Sequence, residues 1–503
     1  MLFLNGKIYT DQGFVEAMYV EGGIIKALGS SKALLNMYPN QEVIDFKKNL
    51  VLPGFNDSHL HLLSFARFLD ALNLEAAKSI NEIISLGKEA LVSRKLLIMY
   101  GYDDSFFSAP LSRNDLDSIS REIPIIAYRS CGHIATVNSA VMMQVRSRLF
   151  PDLINQNTGV FKENAIALLD ELHPEANLEM LKKQIETTVN YFHRFGITSI
   201  GSNDLKDDVA MGRKIITAYR ELENEEKLNL RVSLQFTFTE KDKIKEILEF
   251  RSESPFFRFG PLKLFLDGSL GGKTALLSKP YSDGTYGIQT LPRETLEDLL
   301  AFSEQENLQV AVHAIGDQAS ALFLEAFQKH VKSNTNRHFL IHLQVLREDL
   351  FKMLKDFQVR AAVQPIFLVE DLKMAKANLP ASLLKTSYAF QSLNKGTVIA
   401  FGSDAPYGGL NPFAGLQAAV TQSNLEGEVL NLEEKMPLEE ALKAYTLNSA
   451  YLTFEEKKKG KLKQGFYADF IVLNKDLFLL PENELGTAEV LMTVVGGKVV
   501  YKK

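Results

Sequence analysis

The chain has 503 residues, 46% of them hydrophobic and 23% charged, with a formal net charge of −6. This composition is ordinary for a globular protein with a large core, and the length admits two to four domains or one α/β barrel with insertions. The mildly acidic balance and the absence of a long basic block leave no electrostatic footprint for nucleic acid. A single cysteine, Cys131, excludes an intrachain disulfide framework. No run approaches the roughly 18 apolar residues of a membrane span, and Met1–Lys7 lacks the apolar stretch of a signal peptide. The expectation is a soluble cytoplasmic protein with no nucleic-acid or membrane partner, its oligomeric state open and a homo-oligomer compatible with it.

Residues 1–50 contain the strand-like runs Leu2–Tyr9, Ala17–Val20 and Ile24–Leu28, divided by turn signals at Asn5-Gly6 and Glu21-Gly22-Gly23. From Val51 to about Pro412, short β-rich runs alternate with amphipathic helical stretches such as Glu294–Glu306 and Leu346–Phe357. The β-rich runs are Val51–Asp57, Ile197–Ser202, Arg231–Phe236, Leu262–Asp267, Gln309–His313, Phe339–His342, Val359–Gln364 and Val398–Asp404. Several are apolar throughout, as parallel strands buried on both faces should be. Eight such strands alternating with helices predict an α/β fold, a (β/α)8 TIM-like barrel, in preference to an open doubly wound sheet. About 140 residues separate the first two runs, far more than one helix needs, and they hold strand-like runs of their own at Leu96–Gly101 and Pro124–Tyr128. They read as an inserted subdomain, about 65–190, hanging over the end of the barrel. After Gly460 come Asp469–Leu473, Leu491–Val495 and Lys498–Tyr501. The two all-β ends, 1–50 and 456–503, are expected to pair into a small composite domain beside a barrel over 51–455.

The run Leu50-Val51-Leu52 closes on Pro53-Gly54-Phe55-Asn56-Asp57-Ser58-His59-Leu60-His61. Residues two apart on a strand share a face, so His59 and His61 can hold one metal ion between them. His313, His342 and Asp404 end later runs, and the C-terminal strand ends of a barrel converge on one mouth. Each has an ordinary alternative: His313 or His342 as a core histidine bonded to backbone, Asp404 as a helix cap. The joint pattern, with four of nine histidines at strand ends, points to a metal site. His338 lies four residues before His342, roughly 13 Å along a strand, and cannot share its ion; His330, His193 and His173 have no claim on the site. Lys263 stands among leucines on the side that carries Phe265 and Asp267. Burial lowers a lysine's pKa, and a neutral amine can add carbon dioxide to give a carbamate that bridges two metals. The alternative is an ion pair with Asp267 or Asp404, and on strand position alone Asp267 would be the better ligand.

These segments resemble the metal-dependent amidohydrolase superfamily, and within it the third amidohydrolase family, which includes N-substituted formamide deformylases. The matching pieces are Pro53–His61, Lys263–Gly271, His313–Asp317, His342–Gln344, Gly402–Pro406, Asn411-Pro412 and the tail Gly465–Phe470, and the similarity runs essentially the full length. The resemblance implies a barrel flanked by a composite β-sandwich, with one or two divalent ions, zinc by expectation, at the barrel mouth. It implies His59, His61 and Asp404 on one ion, His313 and His342 on the other, and Lys263, N6-carboxylated, between them. Asp267 then becomes a supporting or loop-shaping residue. One departure is Gly271-Gly272-Lys273-Thr274, where serine and arginine are expected before the threonine, so Lys273 is given no substrate role. Some related aminoacylases bridge with cysteine, but Cys131 lies in the insertion.

The implied chemistry is hydrolysis of a non-peptide C–N bond, an amide or N-formyl/N-acyl group of a small molecule, with Asp404 as general base and then acid. Tyr102, Asp104, Arg129 and His133 in the insertion are the expected substrate contacts, with Glu163 a weaker one. Phe106 and Phe107 line an apolar pocket or the core. Two other functions stay open: a mononuclear heterocycle deaminase, and a non-catalytic regulatory protein that binds a small ligand. His313 is followed by Ala-Ile-Gly-Asp rather than a nearby glutamate, which speaks against the first; the complete ligand set speaks against the second.

Overall fold

The computed structural model describes the chain except residues 93, 131, 133, 146–149, 171, 173–175 and 207. The sequence readings at Cys131, His133 and His173 therefore fall outside the described residues. Eight parallel strands form one sheet in chain order: β1 Phe55–Leu60, β2 Ile197–Lys206, β3 Arg231–Thr237, β4 Phe257–Phe265, β5 Val310–Ala314, β6 Phe339–His342, β7 Arg360–Val363 and β8 Ile399–Phe401. The first and last strands meet just beyond their C-terminal ends, where Asp404 N donates to His59 O at 2.8 Å and His61 N to Ala405 O at 2.9 Å. The buried carboxylate of Asp57 draws the same edges together by accepting from Ser403 N at 3.1 Å and His59 N at 3.2 Å. The expected barrel is thus present, nearly closed, with helices packed outside it around a single large core.

Its strands differ from the sequence reading in instructive places. The run Val51–Asp57 is two strands, because backbone partners change sheets between adjacent residues. Gly54 N donates to Asp469 O in the terminal domain, and Phe55 N donates to Gly196 O at the start of the barrel. Only glycine fits at this junction, since a Cβ on Gly54 would lie 2.3 Å from the Thr198 side chain. β4 stops at Phe265 and β8 at Phe401, so Asp267 and Asp404 both stand on loops beyond their strands.

Both chain ends build the flanking domain. One sheet runs Lys498–Lys502, Val490–Val495, Phe470–Leu473, Leu50–Pro53, Lys7–Thr10, Gly13–Val15; a second runs Ile24–Gly29, Ala17–Glu21, Leu2–Leu4, Val43–Asp45. Phe3, Ile8, Met18, Val51, Phe470 and Val494 form the core between them. This sandwich is tied to the barrel by Arg231 of β3, which grips Asp469 with Nε–Oδ2 at 2.6 Å and Nη2–Oδ1 at 2.9 Å, both side chains buried. Between β1 and β2 the insertion folds around its own sheet, ordered Ile154–Asn155, Val160–Lys162, Ile134–Val137, Ile125–Arg129, Leu97–Tyr102, Leu72–Asn73, with a separate core on each face. Among the described residues no helix is long and apolar enough to cross a membrane.

His193, set aside in the sequence reading, ends the helix Leu178–Phe192 with its ring fully buried and Nδ1 3.1 Å from Ile197 O. Burial lowers its pKa from 6.5 to about 4. Between these values the unfolded chain takes up a proton that the folded one refuses, so stability falls as the pH drops from about 6.5 to about 4. His193→Phe should remove up to about 3 kcal/mol of that acid loss. Denaturant midpoints at pH 7 and pH 4.5 check it; a pH slope equal to wild type would refute it.

Candidate metal centre

Five of the sequence-predicted residues meet where the strands end. Asp404 Oδ1 lies 3.2 Å from His59 Nε2 and 3.2 Å from His61 Nε2. All three residues are buried, and their ligand atoms fall within 4.8 Å of one another, the only such three-donor cluster among the described residues. The His342 ring sits edge-on to both His59, at 5.8 Å between centroids, and His313, at 4.4 Å. His313 and His342 therefore adjoin the cluster through ring contacts without completing it. Two residues that anchor this arrangement, His342 and Asp404, have φ of 81° and 59°. Left-handed backbone at a non-glycine residue costs about 1–3 kcal/mol and persists where the surroundings enforce it.

Each histidine is oriented from behind. His59 Nδ1 faces Gln235 Oε1 at 3.0 Å, His61 Nδ1 faces Asn203 O at 3.2 Å, and His342 Nδ1 faces Gln364 Oε1 at 2.8 Å. A carbonyl oxygen only accepts, so each Nδ1 carries the proton and each Nε2 presents its lone pair to the centre. His313 is turned the other way: its Nε2 donates to Gly268 O at 3.0 Å. Burial pushes the pKa of His59 down to about 3, lowers that of His61, and holds that of His342 well below the usual range. All three are therefore neutral at pH 7, the state that binds metal. Asp404 is buried, its Oδ1 facing the Nε2 atoms of His59 and His61.

Lys263 is fully buried, its Nζ 3.8 Å from the centroid of the Phe265 ring and without a hydrogen-bond partner. Burial lowers its pKa from 10.5 to about 7. Asp267 does not answer it. That carboxylate instead accepts from the backbone amides of Ile315 at 3.0 Å, Gly316 at 2.8 Å and Leu276 at 2.9 Å, pinning the loops after β4 and β5. Asp267 is thus a loop pin, the loop-shaping part that the family resemblance implies for it.

The insertion residues are placed differently. Tyr102 is 1% exposed in the insertion core, its hydroxyl 3.0 Å from Thr136 Oγ1, which accounts for it structurally. Asp104 accepts from Arg129 Nε at 2.9 Å, a half-buried pair that Asp103 joins at 3.4 Å. Phe107 packs against the same core, whereas Phe106 is exposed beneath the Lys78 ammonium. Sequence reasoning missed Gln235 and Gln364, although a lone polar residue at the end of an apolar strand was a usable signal. It also missed Tyr407, edge-on to His61 at 5.0 Å, and Phe367, stacked on His342 at 6.1 Å. Neither follows any pattern along the chain.

The donor set fits a divalent cation. His59 Nε2, Asp404 Oδ1 and Lys263 Nζ are buried polar atoms with no hydrogen-bond partner in the protein, a state that is expensive unless something occupies the space between them. Gln235→Leu should lower metal affinity about 10–100-fold by releasing the His59 ring, with the fold retained. Competition against a chromophoric chelator measures it, and wild-type affinity would remove Gln235 from the site's support.

A parallel barrel with buried imidazoles and a carboxylate at its C-terminal mouth is the architecture of a metal-assisted hydrolase. The amidohydrolase family model matches residues 42–501, and the chain belongs to that family. It is 33% identical to YtcJ of Bacillus subtilis (strain 168) over 99% of both chains, and 22% identical to the N-substituted formamide deformylase of Arthrobacter pascens over the whole of this chain and 98% of that one. Among solved structures, an uncharacterized metal-dependent hydrolase from Pyrococcus horikoshii OT3 superposes with a TM-score of 0.79 at 28% identity, covering 96% of this chain and 98% of that one.

Proposed function

We propose that this amidohydrolase cleaves the C–N bond of a small-molecule amide, an N-formyl or N-acyl amine, and that Asp404 moves the proton. The observation that carries the reading is the buried Asp404 carboxyl held 3.2 Å from both His59 and His61 at the barrel mouth. His59, His61 and Asp404 would hold one ion, His313 and His342 a second, and zinc is the expected metal for this nitrogen-rich set. His313 would use Nδ1, since Nε2 is committed to Gly268 O. Lys263 would join the two as a carbamate: its neutral amine forms an N–C bond to carbon dioxide, and the amine proton leaves to solvent. A bound divalent cation supplies Lewis acidity, lowering the pKa of water to about 7 and polarising the carbonyl.

The remaining chemistry belongs to the chain. Asp404 accepts the proton of the attacking water and returns it to the departing nitrogen, so that amide and water yield carboxylic acid and amine. Gln235, Asn203 and Gln364 keep the imidazoles in the tautomer that leaves Nε2 basic. The similarity to the N-substituted formamide deformylase of Arthrobacter pascens favours N-formyl amines as the first substrates to screen. A mononuclear heterocycle deaminase is the second reading, favoured by the restriction of the three-donor cluster to His59, His61 and Asp404.

Elemental analysis of protein purified without chelator and with bicarbonate present separates the two. About two equivalents of metal per chain with turnover of N-formyl or N-acyl amines supports the bridged hydrolase. About one equivalent shifts the assignment to a mononuclear hydrolase or deaminase, and none after reconstitution withdraws both in favour of a ligand-binding protein.

A further inference from the structure

Glu163 belongs to the insertion, yet its carboxylate reaches the barrel. The strand Val160–Lys162 is held in the insertion sheet against Ile134–Val137, and Phe161 and Ala165 on either side of Glu163 are fully buried. Between these anchors the backbone turns through φ of 48° at Glu163, left-handed territory that an ordinary L-residue adopts only at a cost. That turn carries the side chain onto the loop after β4. Thr274 Oγ1 donates to Glu163 Oε1 while accepting from Ser269 N at 2.9 Å, so the hydroxyl that clasps the carboxylate is itself fixed. The loop is shaped to receive it: a Cβ on Gly268 would lie 2.9 Å from Glu163 Cδ, and one on Gly272 would lie 3.3 Å from Glu163 Oε1.

Gly268 is also the residue whose carbonyl holds His313 Nε2 at 3.0 Å. The Glu163 carboxylate and the His313 imidazole therefore stand on two sides of one residue. The lysine of the same loop is directed elsewhere, Lys273 Nζ pairing with Asp283 at 2.9 Å. A turned backbone, the close approach at Gly268 and a fixed hydroxyl together set one carboxylate against the loop whose carbonyl holds His313. Such a group recognises a cation or a strong N–H donor through a charge-assisted hydrogen bond.

We infer that Glu163 is a specificity residue that receives an ammonium group of the substrate, so that this amidohydrolase prefers amides carrying a cationic amine near the scissile bond. The inference rests on the hydrolase reading for the word substrate, but its test reads binding. The probes are N-(4-aminobutyl)formamide, which is cationic at neutral pH, and its uncharged isostere N-pentylformamide. Their affinity for the metal-loaded full chain is measured by calorimetry, or as KM where a probe is turned over. Wild type should favour the cation by tenfold or more, in keeping with a hydrogen bond to a charged group. Glu163→Gln should bring the preference to within about twofold while leaving metal content and affinity for N-pentylformamide unchanged. Thr274→Val, which removes the clasp but not the charge, should lose part of it. No charge preference in wild type, or a preference retained in Glu163→Gln, overturns the assignment. Absence of metal or of turnover in wild type counts against the hydrolase reading instead.

Discussion

Asp404→Asn is expected to lower kcat by about 10³-fold or more while the protein stays folded. General acid–base catalysis by one positioned group is worth about 10²–10⁴-fold, and here one carboxylate serves both proton transfers. The substitution keeps the shape of the side chain, and the neighbouring barrel contact, Asp404 N to His59 O at 2.8 Å, involves backbone alone. An amide cannot accept the proton of water at neutral pH, so the loss falls on chemistry. It also removes the one negative charge shared by His59 and His61, so the ion they hold should bind more weakly. Initial rates at saturating metal separate the two effects, and a thermal midpoint close to wild type verifies the fold. Wild-type turnover by this variant would end the proton-transfer role.

The second large effect is at Lys263. Lys263→Ala should lose about one of two metal equivalents and most activity, and short carboxylic acids such as acetate or propionate should restore part of both by placing a carboxylate where the carbamate stood. Full metal content without added acid would rule out the bridge. The metal-free protein provides a separate check. Burial lowers the Lys263 pKa from 10.5 to about 7, so the penalty of burying its charge is absent above about 10.5 and complete below about 7. In the interval the unfolded chain binds more protons than the folded one, and stability from this residue rises with pH. Metal-free Lys263→Met should accordingly be more stable than wild type at pH 6, by a few kcal/mol, with the advantage shrinking towards pH 10. Urea denaturation at the two pH values reads the difference, and a constant gap would mean that the ammonium has a partner in solution.

Much of this protein is legible along the chain because its chemistry sits at the ends of periodic elements. Eight β-rich runs separated by helical patterns point to the barrel, and the alternation of strand faces puts His59 and His61 on one side. The composite sandwich was readable too, since two short all-β ends have unpaired edges to satisfy. The register at Gly54 was not, because the switch from one sheet to another depends on which carbonyls, Asp469 O and Gly196 O, come within reach. The second layer of the site was likewise hidden: Gln235 and Gln364 acquire meaning only when folding brings them behind particular imidazoles. Tyr102, attractive beside Asp103 and Asp104 in a loop, lies inside the insertion because its hydroxyl finds Thr136 thirty-four residues away.

Residue types and their spacing by themselves determined the fold class and set His59, His61, His313, His342 and Asp404 at or near strand ends. Both follow from local periodicity and from the convergence of strand ends that any such barrel imposes, while their ligand roles come from the family resemblance. Tertiary structure alone showed what Asp267 does, by giving its carboxylate three backbone amides while Lys263 Nζ has no hydrogen-bond partner. It alone carried Glu163 from a separate subdomain to within one residue of His313. Contacts of that kind depend on the three-dimensional path of loops, which no periodicity encodes.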